Sequence, residues 1–323
     1  MRTSAVLPLA MAAAFASDLQ AQPNAQQRPI RMIVANAPGS ISDVFGRILF
    51  ARMAEQLGQT IVVDNRPGAG GMLGVELGVR AAPDGATLTT VTAAALTVTP
   101  HIHRKIGFDP IKDIAPVSIF VNTQTALCVN AQLPVKTVAE FIELARAKPG
   151  QLNMSSAGIG STSHLGGLLF STLAKVETNH VPYKGGGPSM AAVAQGEAQW
   201  SLGPLGAAVP HVKSGRMRCL ATGGDRRSVA MPELPTIADS GVPGYLFTGW
   251  NGVIAPRGVP ASIIARLNAT MREQLASPEL RALYLAQGEE PAYTTAAEFS
   301  ALIRKDLERM GRLVKVAGLS AEN

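Results

Sequence analysis

Between residues 30 and 91 the chain alternates short apolar runs with helix-length segments, joined by turns of only a few residues. Runs at 30–35, 60–63 and 87–91 read as strands and segments 43–57 and 72–82 as helices, with Pro, Gly, Asn and Ser at the junctions. Strands reconnected through a helix in this way run parallel, because a parallel pair needs a crossover of about a dozen residues. The stretch is thereby restricted to an open α/β sheet with helices on both faces. The same grammar restarts at 126–129. A helix over 137–148, a strand over 152–155, a helix over 163–173, a strand at His180 and Val181 and a helix over 189–195 follow, and strands at 199–202 and 217–221 complete a second sheet. A strand at 250–255 and helices over 261–276 and 296–316 come last and must pack on a sheet already formed. The expected fold is α/β with two lobes, each a mostly parallel sheet flanked by helices. Returning the last elements to the first lobe gives a discontinuous lobe 1, residues 28–122 and 247–323, and a lobe 2, residues 123–246. Two short crossings then form a hinge.

A chain of 323 residues suits two such lobes better than one core. Its 29 Lys+Arg outweigh 23 Asp+Glu by a net +6, but the basic residues are scattered singly, without the aromatic interleaving of a nucleic-acid groove. Nucleic acid is therefore not an expected partner, whereas a small anion is compatible. Residues 1–21 carry Arg2, an apolar stretch over 5–16 and small residues up to Ala21, the layout of a secretory signal peptide cleaved after Ala21. No later stretch reaches the roughly 18 apolar residues of a membrane span, so a periplasmic location is expected. The two cysteines, Cys128 and Cys219, lie in apolar strand-like runs whose spacing excludes a zinc cluster. They form one disulfide if their strands are neighbours, or serve as buried thiols.

Three turns follow the carboxyl ends of strands and open helices. They are Pro38-Gly39-Ser40-Ile41-Ser42-Asp43, the stretch 157–163 with Gly160-Ser161-Thr162-Ser163, and the stretch 182–188 with Tyr183-Lys184-Gly185. Open α/β sheets bind ligands at that edge, where glycine admits close approach and helix-start amides point outward. Such turns favour an anion. Neither a dinucleotide fingerprint nor a phosphate-binding GxxxxGK[ST] loop is present, and no cofactor is expected. The histidines His101, His103, His180 and His211 have no metal-ligand spacing, so no metal site is expected. Ser161 and His164 allow an exported serine hydrolase as an alternative, but no GxSxG elbow supports it, and His164 reads better as a capping or packing residue. Tyr245, Phe247 and Trp250 read as core or hinge packing, Tyr183 as a ligand contact. Lys184 either lends charge to the cleft or points into solvent.

Several segments together resemble the Bug receptors, the periplasmic substrate-binding components of tripartite tricarboxylate transporters. They include Arg28-Pro29-Ile30-Arg31, the run 63–71 with Asp64-Asn65-Arg66-Pro67-Gly68, and Ala82-Pro83-Asp84-Gly85. Gly160-Ser161-Thr162-Ser163-His164, His180-Val181-Pro182-Tyr183-Lys184-Gly185 and Leu234-Pro235-Thr236-Ile237 complete the set. The resemblance implies a Venus-flytrap fold of type II topology and no catalysis. It implies a monomeric receptor that hands its ligand to the membrane components of a transporter; a receptor feeding a sensor kinase would use the same cleft. A ligand carboxylate is expected between the first turn and the Tyr183–Gly185 turn, partly through water, with Gly160 to Ser163 and the segment of Thr92, Ala93 and Ala94 lining the cleft. The chain departs from the family in having Asn36 in place of an aromatic and Ser40-Ile41 in a glycine stretch. Gly203-Pro204-Leu205-Gly206 also lacks an Asp able to meet an amino group. The missing acid argues against an amino-acid ligand, and the apolar walls offered by Ala93, Ala94, Ala95 and Ile41 point to an aliphatic or aromatic mono- or dicarboxylate.

Overall fold

The computed structural model describes residues 28–103 and 105–316; the expected signal peptide lies outside them. The chain starts with β1 (Ile30–Val34), α1 (Ile41–Leu57), β2 (Ile61–Asn65), α2 (Met72–Val79) and β3 (Thr87–Thr92), then two short helices, α3 (Ala93–Thr97) and α4 (Thr99–Ile102), and β4 (Ile114–Thr123). A second series comprises β5 (Thr125–Asn130), α5 (Val138–Ala147), β6 (Asn153–Ser156), α6 (Thr162–Ala174), β7 (Asn179–Pro182), α7 (Gly186–Gln195), β8 (Trp200–Pro204), α8 (Leu205–Lys213) and β9 (Met217–Thr222). Last come β10 (Gly249–Pro256), α9 (Ala261–Leu275), α10 (Pro278–Ala286), β11 (Glu290–Pro291) and α11 (Ala296–Val316).

Two sheets form, in the orders β11-β4-β10-β3-β1-β2 and β7-β6-β8-β5-β9. Strands joined through a helix pair in parallel as expected, β1 with β2 and β3, β6 with β7 and β8. The sheets are nevertheless mixed, because β10 runs antiparallel to β3 and β4, and β5 antiparallel to β8 and β9. The physical reason lies in the crossings. The chain leaves the first sheet along β4, builds the whole second lobe and returns along β10, so these neighbours point in opposite directions. Below, the first sheet with its helices is lobe 1 and the second is lobe 2.

Helix α1 shows why these elements pack as they do. Phe45, Leu49, Phe50, Met53 and Leu57 recur at helical spacing and are buried. They meet Met32, Phe120, Met271 and Tyr284 in the core of lobe 1, each large apolar side chain contributing about 1.5–3 kcal/mol. In lobe 2, Trp200 packs against Phe141 and Phe170 with ring centroids 5.3 and 5.6 Å apart. Cys128 and Cys219 face one another on β5 and β9, with Cα atoms 3.9 Å apart, and are joined by a disulfide. That pairing resolves the alternative left open by the sequence.

The lobes touch around the crossings. Val98 of α3–α4 and Met310 and Val314 of α11 belong to the same apolar cluster as Leu165, Phe170 and Tyr245 of lobe 2. Asp306 accepts a 2.8 Å bond from the Trp250 indole, and Arg309 donates to the Leu246 carbonyl at 3.1 Å. Tyr245, Phe247 and Trp250 are buried, as packing residues are.

Candidate functional site

The first turn is built by its own side chains. Ser40 caps α1 by accepting the Asp43 amide. The Asp43 carboxylate, nearly buried, accepts from the Gly39 amide at 2.9 Å, from Asn65 Nδ2 at 3.0 Å and from Arg47 Nε at 2.8 Å. Burial alone would raise its pKa, but the Gly39 amide, Asn65 and Arg47 together hold it below the ordinary 3.8. Ser42 is buried too, its hydroxyl 3.0 Å from Asn36 Oδ1 and 2.5 Å from Asn251 Oδ1, and Asn251 donates onward to Thr123 on the first crossing. The Asp43 and Ser42 side chains and the Gly39 amide are thus engaged within the protein. Pro38 is exposed and Ser40 and Ile41 partly so. Among the described residues no acceptor faces the amides of Ile41 and Ser42, the first two of α1.

The second turn is equally self-supporting. Ser161 caps α6 through the His164 amide, Ser163 Oγ accepts the Ala157 amide at 2.8 Å, and Gly160 donates its amide to His164 Nδ1 at 3.1 Å. His164 stacks on His180 with ring centroids 3.8 Å apart, and His180 Nε2 lies 2.6 Å from Ser156 Oγ. Burial and the adjacent His180 lower the His164 pKa to about 4, so near neutral pH it is an uncharged acceptor holding the turn. The hydroxyl of Ser161 meets Ser163 Oγ and the backbone of His164, and the imidazole acceptor is occupied by Gly160. The serine and the ring do not form a nucleophile–base pair. Gly160 has φ +74°, and a Cβ there would collide with Ile102 of lobe 1.

The third turn differs in leaving its main chain open. Tyr183 donates its amide to the Ser156 carbonyl at 2.8 Å, which lays this turn beside the second. Beyond it Gly185, at φ +117°, caps α7 with no side-chain bond. The amides of Lys184, Gly185, Gly186 and Gly187 form four successive donors without an acceptor among the described residues. The Tyr183 hydroxyl donates to Glu197 at 3.3 Å instead of being held at the turn, and Lys184 is exposed. Thr92 caps α3 through the Ala95 amide, which leaves the Ala93 and Ala94 amides likewise unpaired.

The crossings gather these pieces. A Cβ on Gly249 would lie 3.5 Å from Thr123 and 3.7 Å from Thr162, and one on Gly158 would lie 3.4 Å from the Tyr183 carbonyl. Ala93, Ala94 and Thr162 line one small cavity with Phe247, Thr248 and Arg309. Turns two and three adjoin directly, turn two reaches the α3 segment through this cavity, and turn one reaches the crossings through Ser42 and Asn251. Sequence reasoning missed Asn65, Asn251 and Thr123, whose roles come from partners far along the chain. It missed Glu289 as well: Gly203–Gly206 carries no acid of its own, but Glu289 Oε1 would lie 3.2 Å from a Cβ on Gly206. No group of three or more potential metal ligands exists among the described residues, and none of their helices is long and apolar enough to cross a membrane.

Two α/β lobes joined by crossing strands define a periplasmic binding-protein fold. Solved structures agree. Rpa4515 of Rhodopseudomonas palustris, determined with adipate, matches at TM-score 0.85 and 32% identity over 91% of this chain and 99% of its own. MatC of the same organism, with bound malate, matches at 0.78 and 30% over 89% and 99%, and the periplasmic binding protein BugD at 0.81 and 26% over 91% and 99%. BugT of Bordetella pertussis is 32% identical over 292 residues, 90% of each chain. The model of the tripartite tricarboxylate transporter family receptor matches residues 45–319, and the chain belongs to that family.

Proposed function

We propose that this chain is an exported solute-binding receptor, freed of residues 1–21, that captures a small organic carboxylate between lobes 28–122/247–323 and 123–246. It delivers that ligand to the membrane components of a tripartite tricarboxylate-type transporter. The ligand is an aliphatic or aromatic mono- or dicarboxylate, and the protein performs no catalysis. The observation that carries the reading is the row of four unpaired amides from Lys184 to Gly187 at the start of α7, beside the Thr162 and Ser163 turn. Each hydrogen bond from such a donor to a carboxylate contributes about 1.5–3 kcal/mol, and the positive end of the helix adds to it. A carboxylate can be held there without an arginine. Family membership and the relatives solved with adipate and malate support the same ligand class. Apolar walls from Ile41, Ala93 and Ala94, and the lack of an acid in Gly203–Gly206, favour a ligand without an amino group.

Titration calorimetry with adipate, malate, benzoate and glutamate tests the proposal. Saturable heat from the first three acids and none from glutamate is expected. Tight glutamate binding, with no heat from the others, would overturn the ligand class; ester hydrolysis lost in Ser161→Ala would overturn the absence of catalysis.

A further inference from the structure

Beyond the crossing strands, the α10–β11 turn of lobe 1 presses against the start of α8 in lobe 2. Backbone meets backbone there: a Cβ on Gly288 would lie 2.9 Å from Gly206 Cα, and one on Gly206 would lie 2.8 Å from the Gln287 carbonyl. Glu289 is sealed inside this contact with 1% of its surface exposed. Neither carboxyl oxygen reaches a hydrogen-bond partner, and the side-chain oxygen of Gln124, on the first crossing, is buried and unpaired as well. The amides of Gln124 and Gly206 face the Glu289 carboxyl and favour its charged form, but fall short of hydrogen-bonding geometry.

Among the described residues no cation compensates. The adjoining Glu290 adds repulsion, and the Arg226 guanidinium pairs with Glu290 at 3.4 Å. From α10, the Tyr284 hydroxyl is committed to the Phe45 carbonyl, and the basic residues of α8, His211 and Lys213, lie in its last turn at the opposite end. A carboxylate buried without a partner takes up a proton rather than remain charged. Burial, reinforced by Glu290, accordingly holds the Glu289 pKa well above 4.5.

We propose that Glu289 is a proton-linked latch: closing the lobes draws its neutral acid form into the contact with α8, so that ligand capture takes up a proton. The proposal rests on the reading of the cleft as a closing carboxylate site. With the lobes apart, Glu289 is an ordinary solvated carboxylic acid; with the lobes shut, its pKa is raised. The closed state therefore gains as pH falls toward the open-state value and loses as pH rises through the closed-state value, by up to about tenfold in population per pH unit.

Small-angle scattering of the ligand-free full-length mature protein between about pH 5.5 and about pH 8.5 reads the latch directly. The wild type is expected to become more compact as pH falls, and Glu289→Gln, which mimics the neutral acid, to stay compact throughout. Adipate, fully ionised above about pH 6.5, should bind the wild type more tightly at the lower pH, with proton uptake visible in buffers of different ionisation heat, and should bind Glu289→Gln without either effect. A wild-type radius of gyration and adipate affinity both independent of pH would overturn the latch even if the variant failed to fold, as would an identical pH response in the variant. If scattering tracks pH only in the wild type while no carboxylate binds, the ligand reading falls and the latch stands. Adipate binding that is indifferent to pH, with flat scattering, gives the reverse.

Discussion

Replacing Asp43 with alanine tests how the first turn is kept in shape. The substitution removes the acceptor for the Gly39 amide and for Asn65, and one ion pair with Arg47. Hydrogen bonds to a charged acceptor are worth about 1.5–3 kcal/mol each, but Gly39 is exposed, so water replaces part of the loss there. Arg47 is half exposed and spaced i,i+4 from Asp43, which limits its pair to about 0.3–0.5 kcal/mol. The sum is about 2–3 kcal/mol, which for lobes of this size corresponds to a fall in Tm of roughly 5–10 °C. A turn that must be reordered before binding loses affinity too, by about thirtyfold for 2 kcal/mol. Arg47→Ala is the control and should move Tm by about 2 °C or less. Because the folded pKa of Asp43 lies below 3.8, its contribution is present above that value and disappears as pH falls through the folded pKa. Scanning calorimetry and adipate titration decide the matter: Asp43→Ala that melts with wild type and binds equally well refutes an Asp43-built turn.

Gly185→Ala places a side chain at φ +117°, a strain of about 1–3 kcal/mol; Tm should fall by roughly 3–10 °C and adipate affinity by about tenfold or more, and unchanged affinity would remove the third turn from the site. The Cys128–Cys219 bridge closes a sequence separation of 91 residues, worth about 4–5 kcal/mol of chain entropy. Reduction, or replacement of both cysteines by serine, should lower Tm by roughly 10–15 °C, and a shift under about 2 °C would show that the bridge is absent from the native protein.

The strand–helix alternation and the turns between its elements were legible because both depend on local chemistry. Apolar period, Thr137, Ser161 and Ser40 as caps, and glycine at positive φ act within a few residues of themselves, and family motifs sit in those same turns. The helix α8 was missed because Pro210 lies inside it and its glycine and proline start resembles a loop. Mixed strand direction was missed because a crossing leaves no local mark.

Which groups remain available to a ligand was a matter for the tertiary structure alone. Asp43 and Ser42 were singled out for the ligand by position, yet Asn65, Asn36 and Asn251, up to 209 residues away, engage their side chains. The same folding brings Glu289 to Gly206 and Cys128 to Cys219. Sequence fixes what each residue can donate or accept, but whether a partner already occupies it depends on contacts between segments distant along the chain, which only the packed lobes define.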